Sequence, residues 1–111
     1  MAITPEPIFQ TVPNTTIPVV LYTPAEGETA RMESIVFMNN HVSAALVTIY
    51  HDIDGAVFDD ESMLLKETSI AADARFVFDD RLLLDANGSL GLKVSVADVV
   101  TVTGYAWVDA Y

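Results

Sequence analysis

The segment Leu90–Ala97 sets Leu90, Leu92, Val94 and Val96 in alternation with Gly91, Lys93, Ser95 and Ala97. A period of two belongs to a β-strand with one face buried and the other small or polar. Short β-rich runs of the same kind recur at Ile17–Thr23, Ala30–Met38, Ala44–His51, Met63–Ser69, Arg75–Phe78 and Val99–Val108. Turn-forming residues separate them, among them Pro24–Gly27, Asn39-Asn40, Asp54-Gly55 and Ala72-Asp73. Asn87-Gly88 predicts a tight hairpin, because both residues tolerate positive φ. Asp59–Ser69 competes as a helix, since Met63, Leu64, Glu67 and Ile70 would then share a face behind an acidic first turn. Seven short strands at near-regular spacing predict an all-β chain. We expect a single antiparallel β-sandwich, jelly-roll-like or Ig-like, of about seven to eight strands.

All five prolines fall before residue 25, at Pro5, Pro7, Pro13, Pro18 and Pro24. Proline fixes φ and has no N–H to donate, so this stretch is unsuited to a helix or a central strand. Residues 1–16 therefore read as an extended N-terminal arm and residues 17–111 as the sandwich. The arm carries Ile3, Ile8, Phe9 and Val12, which are too apolar to stay bare in water. It either packs along its own domain or reaches onto a neighbouring subunit by strand addition, and these four residues are candidate interface positions.

A chain of 111 residues is one domain. Its 51% apolar content argues against disorder. Five basic residues against sixteen acidic ones leave a formal charge of −11. That excludes autonomous nucleic-acid binding, which needs cations to displace counterions from phosphate, and it opposes docking on anionic membranes. There are no cysteines, hence no disulfide, thiol nucleophile or Cys-based metal site. The opening Met-Ala-Ile-Thr-Pro-Glu-Pro lacks the basic and apolar regions of a secretory signal, and no apolar run approaches the ~20 residues of a membrane helix. We expect a soluble chain used without secretion.

Chemistry is sparse. The two histidines read as a polar turn residue (His41) and a strand-end His–Asp pair (His51 with Asp52). No nucleophile elbow, Walker loop, zinc-binding helix or dinucleotide fingerprint occurs, and we expect no enzymatic activity. Aligning Gly55 with the glycine of a twelve-residue calcium loop puts Asp52, Asp54 and Glu61 on ligand positions, although Tyr50 takes the first. These three acids are the candidate Ca²⁺ ligands, set against a solvated acidic connection with no cofactor. Tyr105, Trp107 and Tyr111 lie at or near strand spacing. With Ala106 and Val108 facing inward they form an exposed aromatic stripe, a mark of protein or sugar contacts; in the reverse register they are core. We include the three as candidate interface residues.

The run Tyr22-Thr-Pro-Ala-Glu-Gly-Glu-Thr-Ala-Arg-Met-Glu-Ser-Ile-Val-Phe-Met-Asn-Asn40 resembles a group of small β-sandwich proteins of tailed bacteriophages. The resemblance continues through the strand Ala45–Tyr50, the turn Leu84–Gly88, the strand Leu92–Val96 and the closing Val-Thr-Val-Thr-Gly-Tyr105. It spans roughly residues 17–106 and departs at an extra residue before Gly88 and in the long acidic connection 51–62. It implies a virion structural protein, foremost a capsid decoration or cement protein on the outer surface of the head. A tail, fibre or receptor- and glycan-binding module comes next. The implied partner is the major capsid protein, the implied assembly a homotrimer at a local threefold axis, and the implied site of synthesis the host cytoplasm.

Overall fold

The computed structural model describes residues 5–110. Nine strands follow one another: β1 Glu6–Thr11, β2 Val19–Tyr22, β3 Glu28–Asn39, β4 Ala45–Asp52, β5 Met63–Ile70, β6 Arg75–Phe78, β7 Leu83–Asp85, β8 Ser89–Val94 and β9 Val100–Ala110. They form two antiparallel sheets, a five-stranded one in the order β1-β9-β3-β6 with β7 also on β3, and a four-stranded one in the order β2-β8-β4-β5. No helix occurs among the described residues. The sandwich expectation holds, with more strands than the sequence separates.

The core lies between the sheets. In β3 the inward residues are Ala30, Met32, Ile35, Phe37 and Asn39; in β9 they are Val100, Val102 and Ala106. The break in alternation between Met32 and Ile35 is a β-bulge, where the β3–β9 register shifts between Met32 and Ser34. Glu33 is the extra residue. A bulge lets both halves of a long strand keep their apolar side inward while re-aiming one side chain. The four-stranded sheet contributes Ala45, Val47, Ile49, Ile70, Leu90, Leu92 and Val94.

Several boundaries depart from the sequence reading. β8 ends at Val94, because Leu46 closes the ladder there: its N–H donates to Ser95 Oγ at 2.8 Å, and its carbonyl accepts from Ser95 N. The chain then turns through Asp98, whose φ is +66°. Asp59–Ser69 is not a helix; a turn leads into β5 at Met63. Asn87-Gly88 is a turn, but neither residue has positive φ. Gly88 is needed for a different reason: a Cβ there would strike the backbone of Asp52 and Ile53.

Residues of the arm lie on their own sandwich. β1 pairs with β9 at the edge of the sheet, the position that a strand containing Pro7 can occupy. Ile8 and Phe9 are half-buried and Val12 is exposed. Phe9 lies directly over Gly104 of β9, where any Cβ would collide with its ring, and it meets Tyr22 with ring centroids 6.4 Å apart. Ile3 and Tyr111 lie outside the described residues.

One buried polar residue ties two turns together. Asn39 is fully buried, and its Nδ2 donates to the carbonyls of Ser43 (3.1 Å), Ile70 (3.0 Å) and Ala71 (3.2 Å). Its Oδ1 accepts from His41 N at 2.9 Å. This explains His41 as a turn residue and joins the two sheets at one end. Removing the amide strands buried carbonyls, at about 1–3 kcal/mol for each that water cannot reach. We expect Asn39→Ala to lose about 2–4 kcal/mol in urea unfolding. Asn39→Asp should be at least as damaging at neutral pH, because a carboxylate cannot donate to the three carbonyls. A loss for Asn39→Ala no larger than that of a surface substitution would refute the clasp.

Candidate functional site

Two places bring polar side chains together, and both draw on candidate residues named from the sequence. The first is the connection between β4 and β5. It folds back over the outer face of the four-stranded sheet, where Phe58 sits on Gly91 of β8; a Cβ at Gly91 would stand 2.6–2.7 Å from three of its ring carbons. The Phe58 ring also meets Tyr50 at 5.6 Å between centroids. Ser62 organises the end of the loop. Its Oγ accepts from Asp59 N at 3.1 Å and donates to the Val57 carbonyl at 2.9 Å, while its own carbonyl accepts from His51 N at 2.7 Å.

Asp52 staples the other end. Its carboxylate accepts from Val57 N at 2.8 Å and Asp54 N at 3.2 Å. Those N–H groups, Val57's foremost, hold its carboxyl below the usual carboxylate range. Asp54 is pushed the other way by hydrogen bonding and repulsion from the Asp52 carboxylate. Tyr50 and Asp52 belong to β4, so the first and third positions of the aligned calcium loop are strand residues with other tasks. Among the described residues, no three His, Asp or Glu side chains form a metal-holding group, so Asp52, Asp54 and Glu61 do not converge on one point.

His51 lines a hollow beside this loop. Burial lowers its pKa, against the opposing pull of Asp85 and Asp52. A histidine with a depressed folded-state pKa contributes stability that is complete above its unfolded pKa of about 6.5 and is lost as pH falls toward the folded value. Stability should therefore decline from pH 7.5 to 5.5, and His51→Gln should flatten that part of the curve. An unchanged slope in the variant would remove His51 as its cause. Asp52→Asn should speed hydrogen exchange at the amides of residues 54–57 without affecting those of β3 and β9. Protection in the loop equal to that of the parent chain would refute the staple.

The second place is the outer face of the five-stranded sheet. Ala106 is fully buried and Val108 half-buried, so Tyr105 and Trp107 point outward. This decides between the two registers left open by the sequence. Register then builds a cross-strand row: Leu83 of β7 lies opposite Arg31 of β3, and Arg31 opposite Trp107 of β9. The Arg31 guanidinium stands over the Trp107 ring, 5.8 Å from its centroid. Glu33, the residue of the bulge, accepts from Trp107 Nε1 at 3.3 Å. Arg81 and Leu82 complete a shallow groove of about 590 Å³, and Met32 N donates to the Leu82 carbonyl at 2.8 Å to hold that connection against β3. Leu83 is 64% exposed and Tyr105 36%.

Of the groove residues, the sequence marks Trp107 alone as a site candidate. Arg31, Glu33, Arg81, Leu82 and Leu83 come from β3, the β6–β7 connection and β7, and they become neighbours only through strand pairing. The detectable signal was the break in β3 alternation between Met32 and Ile35, which announces the bulge.

No family model and no curated protein matches this chain. Among solved structures, a chain in the structure of infectious bursal disease virus Gx strain is similar with a TM-score of 0.43 and 12% identity. The match covers 97% of this chain and 37% of that one. We take no function from a likeness at that level.

Proposed function

We propose that this chain is a non-enzymatic virion structural protein, a decoration protein that binds the outer surface of an assembled bacteriophage head and stabilises it. The observation that carries the reading is the contrast between the two outer faces. The four-stranded sheet is roofed at one end by Phe58 of its own loop. The five-stranded sheet leaves Tyr105, Trp107, Leu83 and Val77 on its outer face with no such cover among the described residues. Outward aromatic and aliphatic residues on a rigid sheet form a docking face. The sequence resemblance over residues 17–106 supplies the kind of partner, the major capsid protein, and the homotrimer as the assembly. The acidic charge keeps free subunits dispersed and away from packaged DNA.

The test is co-sedimentation with assembled heads lacking the protein. The chain should pellet with the heads and raise the temperature at which they open. Trp107→Ala should weaken binding by about tenfold or more, as a central aromatic anchor does, with an unchanged circular dichroism spectrum. Heads that open at the same temperature with and without bound protein would overturn the reading. The outward orientation of Trp107 also supports a second reading, a glycan-binding tail or fibre module; there, Trp107→Ala would abolish host attachment and leave head stability unaltered.

A further inference from the structure

We propose that the Arg31–Trp107 groove is a receptor for an extended acidic protein segment, in which a carboxylate engages Arg31 and Arg81 and an apolar side chain two residues along rests on Leu83 and the indole edge. The inference rests on the docking reading above and names the chemistry of the partner.

The groove is pre-organised for a carboxylate. The cation–π contact with Trp107 restrains the Arg31 guanidinium, so less side-chain freedom is lost when its fork binds. Trp107 is itself fixed, because its one N–H is taken by Glu33. The bulge that places Glu33 is thus part of the receptor, through its hold on the ring. Arg81 lines the groove beside Arg31, giving two guanidiniums against the single carboxylate of Glu33. The chain as a whole has the opposite character, with a formal charge of −11. An acidic segment is repelled over most of the molecule and attracted here, so charge both selects the segment and directs it to this face.

Shape points to a protein strand. Leu83, Arg31 and Trp107 form one row across three adjacent strands, so the groove floor crosses the sheet about 10 Å wide at the usual strand spacing. Side chains two positions apart in an extended segment share a face, and an acid followed two residues on by an aliphatic residue matches a guanidinium beside Leu83. A sugar would need a bare indole face, and Arg31 takes up one of them.

Trp107 is the single tryptophan of the chain, so its fluorescence reports this groove alone. The probes are two blocked pentapeptides, Leu-Ser-Glu-Ser-Leu and Leu-Ser-Gln-Ser-Leu, titrated into the intact protein. The Glu peptide should change the emission saturably, and the Gln peptide should bind about tenfold more weakly because it lacks the charge-assisted pairs. Arg31→Lys and Arg81→Lys keep the charge and lose the fork, and each should weaken the Glu peptide about fivefold or more. Raising salt to 0.5 M should weaken it as well. Equal binding of the two peptides, indifference to both lysine variants, or no response would overturn the proposal. So would tighter binding of a hyaluronan tetrasaccharide, which would assign the groove to an acidic glycan. Head co-sedimentation separates this from the docking reading. Binding to heads without any peptide response sinks the receptor alone; a specific peptide response without binding to heads sinks the docking reading and leaves the receptor standing.

Discussion

The pairing of β3 with β9 is the interaction on which the rest depends. It runs from Glu28 opposite Ala110 to Asn39 opposite Val100, the longest ladder in the molecule. Every other strand of that sheet hangs from one of the two, β1 on β9 and both β6 and β7 on β3. A slip of one residue would turn Ala30, Met32, Ile35 and Phe37 to water, so register is pinned by the core itself. The bulge at Glu33 resolves a conflict inside this ladder. It lets two inward sets of opposite phase share a strand, and the residue left over fixes the orientation of Trp107.

Glycine performs the same task in both sheets. Gly104 admits the ring of Phe9, and Gly91 admits that of Phe58. In each case a peripheral segment, the N-terminal arm or the acidic loop, is fastened by one aromatic residue seated on bare backbone. Phe9 completes the core from an edge, whereas Phe58 covers an outer face. The two sheets differ accordingly: the loop covers one end of the outer face of the four-stranded sheet, whereas Tyr105 and Leu83 stay exposed on the five-stranded one.

Much of the fold is legible in the sequence because alternation is a local signal. The runs Leu90–Ala97, Ala44–His51 and Arg75–Phe78 correspond to β8, β4 and β6, with the first running past the end of its strand at Val94. β7 escapes because three residues are too few to show a period. β1 reads only as an extended arm, because prolines mask strands at sheet edges, where a missing N–H costs nothing. The site is less legible. Trp107 stands out by type, but its orientation depends on the register of β9, and its neighbours Arg31 and Leu83 are distant in sequence. The acidic loop illustrates the converse: spacing alone suggests a metal site, while Asp52 is occupied in holding backbone N–H groups of its own loop.

The irregular strand edges have a consequence for assembly. β1 carries Pro7 and a register shift at Ile8, β2 shifts between Val20 and Tyr22, and β5 is broken opposite Thr48, where Glu67 takes a φ of +43°. An edge interrupted in this way is a poor template for another backbone. Copies crowded side by side are thus hindered from zipping into a continuous ribbon through β1, β2 or β5.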